Sequence, residues 1–156
     1  MPRNPDAIAL LKKDHAEVKK LLQRLDSSHS AAERGKLFGR IHKEVKVHSA
    51  VEEEIFYPAF REAVKAQEDR KLYFEAKEEH HVVDGVLAEL QGADPASEVF
   101  AAKAKVLMDL IEHHAEEEEE EMFPRARKLI DRAKLVELGV RMAERKKALL
   151  GLSQAA

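Results

Sequence analysis

The chain has 156 residues, 27 lysines and arginines against 30 aspartates and glutamates, and no cysteine. That length is the usual size of one domain and can bury a core unaided, and the missing thiols exclude disulfides, thiolate metal sites, iron–sulfur ligation and cysteine nucleophiles. A metal must then be held by nitrogen and oxygen donors, and a net charge of −3 offers no basic field for nucleic acid or an anionic membrane.

No long uncharged apolar run is present. The opening residues Met1 to Asp6 lack the apolar core of a secretion signal, so a cytoplasmic chain with no membrane association is expected. Glycine is scarce and strand alternation is absent, which predicts an all-α fold. Eight histidines stand out against an Ala, Leu, Glu and Lys background.

The first helix is expected to start with Asn4 as cap and Pro5 as its first residue, and to align Ile8, Leu11, His15, Val18, Leu22 and Leu25 on one stripe. Ser30-Ala31-Ala32-Glu33 is a capping box opening the second helix. That helix places Phe38, Ile41, Val45, His48, Glu52, Ile55 and Ala59 on one face and runs toward residue 66, with a kink or local break at Pro58. The boundary near Gln67 is weakly punctuated. The third helix carries Tyr73, Ala76, His80, Val83, Leu87 and Leu90 and ends at Gly92. Asp94-Pro95 then caps a fourth helix with Val99, Lys103, Leu107, Leu110 or Ile111, His114, Glu118 and Glu121 inward, and Pro124 repeats the break. A last helix, from about Arg132 to Leu150, has Leu135, Leu138, Met142 and Leu149 as its apolar side and Gly151 as its stop.

The chain repeats itself. His48, Glu52 and Pro58 recur 66 residues later as His114, Glu118 and Pro124, and the stretch from Asp14 to Leu25 aligns with Glu79 to Leu90. Two helix pairs of one design with short connections make an antiparallel up-down-up-down four-helix bundle. The expected division is residues 1–130 for the bundle and 131–156 for a C-terminal helix that packs on it or forms a dimer contact.

Histidine and carboxylate at i and i+4 share a helix face, so each copy aims an imidazole and a carboxylate at the same point. The expected metal ligands are His15, His48, Glu52, His80, His114 and Glu118. A lone histidine on an apolar face is more often hydrogen-bonded core. Six polar groups in one bundle layer without a metal would instead leave several unsatisfied, at roughly 1–3 kcal/mol each and more for the charges. Mixed imidazole and carboxylate donors suit iron before manganese or zinc. Glu52 and Glu118 can bridge two ions, leaving positions for an oxo or hydroxo group and a substrate.

His81 and His113 are rotated off the inward face, although a one-residue register shift would exchange His113 for His114. His29 and His42 read as a turn and a surface residue, and Glu53 and Glu54 as non-ligands. Within the acidic run Glu116 to Glu121, Glu121 either orients an imidazole N–H or is exposed. Tyr73 lies on the face toward the centre and reads first as a core tyrosine.

These elements, His15, His48-x-x-x-Glu52, His80 and His114-x-x-x-Glu118 with their F-Y-P and M-F-P endings, resemble the hemerythrin-like (HHE cation-binding) domain family over residues 8–126. The resemblance implies a four-helix bundle around a non-haem di-iron centre that meets dioxygen, hydrogen peroxide or nitric oxide. The oxygen carriers have a further histidine where this chain has Ala76, and an aspartate five residues after the histidine where this chain has Glu118 at four. The pattern is closer to short bacterial hemerythrin-like proteins, some of which decompose peroxide. A peroxide-decomposing, catalase- or peroxidase-like oxidoreductase is therefore expected, as a monomer or homodimer. The other reading is a module that binds, stores or senses dioxygen, nitric oxide or iron.

Overall fold

A computed structural model describes residues 4–155, with side chains through Gly151. Its elements are α1 (Ala7–Ser27), α2 (Ala31–Val51), a π-helical segment (Glu52–Phe56), α3 (Tyr57–Ala63), α4 (Gln67–Gln91), α5 (Glu98–Glu117), a second π-helical segment (Glu118–Met122), α6 (Phe123–Leu129) and α7 (Arg132–Ala155). The segments from 31 to 63 form one rod and those from 98 to 129 another. With α1 and α4 they make four antiparallel rods, and α7 lies against α1, α2 and the first π segment.

Caps set the ends. Asp6, not Asn4, caps α1, its carboxylate accepting from the Ala9 N–H at 2.8 Å. Aspartate is the stronger acceptor for the unpaired donors of a first turn, and it leaves Pro5 outside the helix. Ser30 caps α2 through the Glu33 N–H as expected. For α5 the cap is Ser97, with Asp94 forming the preceding turn. The inward stripe of α5 accordingly starts at Phe100 and Ala104, while Val99 is 59% exposed. Gly92 ends α4 at φ −91°, not in the left-handed region. Gly151 does not stop the last helix, whose backbone runs on to Ala155.

The core has two apolar clusters. One, built on Leu22, Leu25, Ile41, Leu87, Leu90, Phe100 and Leu107, fills the end nearest the α1–α2 and α4–α5 turns. The other, built on Ile8, Leu11, Phe56, Tyr57, Phe60, Phe123 and Leu138, fills the opposite end and takes in Leu135 and Met142 of α7. Each fully buried large side chain contributes about 1.5–3 kcal/mol. His15, His48, His80 and His114 fall in sequence between the two sets on every rod. The result is a polar layer sealed by apolar packing on both sides.

Candidate metal centre

The layer is held by the two π segments. Pro58 has no N–H, and its ring would collide with the carbonyl four residues back in a regular helix. The chain breaks its α-helical pattern by widening: the Tyr57 N–H donates to the Glu52 carbonyl, five residues back, and Pro58 enters at the start of α3. The second copy does the same, Phe123 N–H to Glu118 carbonyl, ahead of Pro124. Each π turn therefore begins at the carboxylate of the repeat, consistent with the tendency of such bulges to sit at functional sites.

All six expected residues meet in this layer. His15, His48, Glu52 and Glu118 bring one donor atom each within 4.8 Å of one another, and Glu52, His80 and His114 form a second such group. The Glu52 Oε1 is 3.0 Å from His48 Nε2 and 3.2 Å from His80 Nε2. The Glu118 Oε1 is 3.3 Å from His15 Nε2 and 3.1 Å from His114 Nε2. Each carboxylate thus spans both helix pairs. Glu52 and Glu118 are 0% and 2% exposed.

Every imidazole is also held from behind. Its Nδ1 faces a carboxylate: His48 to Asp14 at 2.9 Å, His114 to Glu79 at 2.9 Å, His15 to Glu119 at 3.1 Å and His80 to Glu53 at 3.4 Å. Such a partner accepts the Nδ1 proton and orients the ring, which in its neutral form turns the Nε2 lone pair inward. Glu53, expected to be no ligand, has this supporting place. Glu119 fills the place considered for Glu121, and Glu121 is exposed. His113 and His81 are exposed, so no register shift exchanges His113 for His114; His29 is exposed and His42 packs its ring against Phe38.

The sequence reading missed Tyr57. Its hydroxyl donates to Glu118 Oε2 at 2.9 Å and lies 3.2 Å from His80 Nε2 and 3.3 Å from His114 Nε2. In a regular α-helix residue 57 would point well away from residue 52, and only the i→i+5 turn returns it to the same line. Tyr73 packs edge-on against the Tyr57 ring. The available signal was the aromatic residue before the proline in both copies, Tyr57 and Phe123. Phe123 stacks on the His15 ring at 5.9 Å, as Tyr57 lies over His80 at 5.3 Å.

Burial opposes charge on His48, but Glu52 and Asp14 outweigh it and raise its pKa to about 10. Burial likewise opposes charge on His114, which Glu118 and Glu79 raise to about 11. Burial would lift Glu118, yet His114 and His15 hold it well below the usual carboxylate range. Burial, with Glu118 and Glu52 adding to it, pushes the Tyr57 phenol up, so it is a neutral donor.

The pairing is incomplete. His15 Nε2, His48 Nε2, both oxygens of Glu52 and Glu118 Oε1 are buried without an aligned hydrogen bond, although their separations lie in ion-pair range. Buried polar atoms left this way cost about 1–3 kcal/mol each, and all of them converge on one space. The donor set fits a cation.

Residues 6–126 match the model of the Hemerythrin HHE cation binding domain. The chain belongs to this hemerythrin family. Hemerythrin-like domains are metal-binding proteins, and the structural likeness agrees: a Hemerythrin HHE cation binding domain-containing protein from Mycobacterium kansasii superposes with a TM-score of 0.84 at 28% identity, covering 97% of this chain and 91% of that one. Rv2633c of Mycobacterium tuberculosis is 29% identical over 94% of this chain and 88% of its own length. A protein of Nostoc sp. named DNA nickase is 26% identical over 73% of this chain, which spans only 31% of that protein's length. Among the described residues no helix of this hemerythrin-like chain is long and apolar enough to cross a membrane.

Proposed function

We propose that the polar layer is a non-haem di-iron centre that acts on hydrogen peroxide, making the protein a catalase- or peroxidase-like oxidoreductase. The observation that carries this reading is the pair of donor groups sharing Glu52, with His15 Nε2, His48 Nε2, both Glu52 oxygens and Glu118 Oε1 buried and unpaired. His15 and His48 would hold one ion and His80 and His114 the other, with Glu52 and Glu118 between them. Bound iron supplies a Lewis acid and a redox couple.

The chain's own residues do the rest. Asp14, Glu119, Glu53 and Glu79 orient the four imidazoles through Nδ1. Phe56, Phe123 and Met122 exclude bulk water, which strengthens every charge interaction inside. Tyr57 holds a hydroxyl proton 2.9 Å from Glu118, a neutral donor at the centre, placed to hydrogen-bond an oxygen of a small substrate. Where the oxygen carriers have another histidine, buried Ala76 lines a cavity of about 10 Å³ against Glu118, roughly the room one water needs. Loss of a protein ligand there favours substrate access over closed, reversible carriage.

Oxygen evolution from hydrogen peroxide by the iron-loaded protein tests this. His48→Ala or Glu118→Ala should abolish it, and turnover no greater than that of free iron would overturn the reading. The other reading is a module that reversibly binds dioxygen or nitric oxide: side-chain exposures of 11% or less at all six residues suit such small ligands as well as they suit peroxide. Reversible spectral change on removing and restoring dioxygen would support that module. DNA nicking receives no support, because the named relative is matched over under a third of its length and this chain's charge is −3.

A further inference from the structure

Outside the centre the twofold repeat breaks, and it breaks where α7 lies. On the covered half Asp14 is paired to Lys146 of α7 and is 12% exposed, and the neighbouring positions are buried Val47 and Val51. The matching positions on the uncovered half, 65 or 66 residues later, are Glu79, His113 and Glu117. A helix hidden by α7 needs apolar residues there. The open one needs only solubility, and a histidine aligned with two carboxylates is more than that.

These three side chains present donor atoms within 4.8 Å of one another. His113 Nε2 is 3.2 Å from Glu117 Oε1, four residues on, and 3.8 Å from Glu79 Oε2 across on α4. His113 is 63% exposed, so the group opens to solvent. The other oxygen of Glu79 accepts from His114 Nδ1 at 2.9 Å, so one carboxylate faces both the surface group and the centre. Beneath it lies the small cavity beside Ala76, lined by Glu75, Glu79, Glu117 and Glu118. It continues the surface carboxylates inward to a residue of the centre itself.

A wider groove between α1 and α5 reaches His15, but Lys12 and Lys19 stand among its carboxylates Glu112, Glu116, Glu119 and Glu120. Those lysines oppose a cation, whereas the lining on the α4–α5 face is acidic. We propose that Glu79, His113 and Glu117 form a surface capture site for a divalent cation of the kind imidazole and carboxylate bind, ferrous iron included, and that the opening beside Ala76 is its route to Glu118. This rests on the metal-centre reading above.

The test is the rate at which the full-length apo-protein takes up ferrous iron under anaerobic conditions, read as iron per chain after rapid desalting. The combined variant His113→Ala with Glu117→Gln should load about tenfold more slowly, the scale expected for lost electrostatic focusing, yet reach the same final content. Ala76→Leu should slow loading with the capture residues intact, and thermal unfolding of both variants checks that they fold. Cobalt(II) added to the iron-loaded protein should occupy one further site in the native chain and none in the combined variant. Unchanged loading in the combined variant overturns the proposal, as does slowing by Glu116→Gln with Glu120→Gln alone. Failure of the native chain to take up iron at all contradicts the metal centre instead.

Discussion

Tyr57 and Phe123 occupy equivalent places, each over a histidine of the centre, yet only one carries a hydroxyl. Tyr57→Phe therefore copies one half of the molecule onto the other and removes a single proton donor. It should leave iron content and the melting temperature nearly unchanged while lowering peroxide turnover about 10–100-fold, the range for lost support around a metal. The comparison of kcat with iron content checks it. Asp14→Ala frees the His48 Nδ1 and should weaken metal affinity by a similar factor, read by competition with a chelator. The six inward residues were legible because i and i+4 share a face wherever the helix is regular. Tyr57 was not, since its position depends on a π turn that no spacing rule for α-helices anticipates. The carboxylates behind the rings come from neighbouring helices, or from the residue just after Glu52 and Glu118, and an outward-pointing Glu53 or Glu119 looks like ordinary surface in one dimension.

Helix ends show a similar divide. The Ser30 side-chain cap is a local signal and forms. At the first helix Asp6 takes the place expected of Asn4, and a tertiary contact holds it there: Asp6 also accepts from Arg127 of α6 at 3.0 Å. Burial opposes its charge, but the Ala9 N–H and Arg127 hold its pKa below the usual carboxylate value. A group lowered in the folded state adds stability above its unfolded pKa of about 3.9 and loses it as the pH falls through the folded value. Asp6→Ala should thus cost about 1 kcal/mol near neutral pH, and the gap between variant and native chain should close below about pH 4. Urea unfolding at several pH values measures this. The inward stripe of α5 was misread at Val99 because Lys103 and Leu107 continue a plausible line; the structure turns Phe100 and Ala104 inward instead.

At the scale of the molecule, the bundle and its inverted pairing followed from an internal repeat, a signal that survives errors at helix ends. The seat of the last helix did not, because an apolar stripe fits any apolar partner. It is fixed partly by Gly139, where a Cβ would stand 2.6 Å from the Pro5 carbonyl oxygen and 2.9 Å from the Asp6 carbonyl carbon. Backbone cannot yield as a side chain can. Gly139→Ala should lower stability by about 1–3 kcal/mol, more than the roughly 1 kcal/mol of helix propensity alanine adds. Gly85→Ala, with open space around it, should raise stability by about 0.5–1 kcal/mol, and paired melting curves separate the two effects. The layer between the two apolar clusters gathers both donor groups, and its metal content is the direct test. Iron analysis of the reconstituted protein should find two ions per chain, and Glu52→Ala, which removes the carboxylate common to both donor groups, should lose both. One ion per chain, none, or an iron content unmoved by Glu52→Ala would contradict the shared centre.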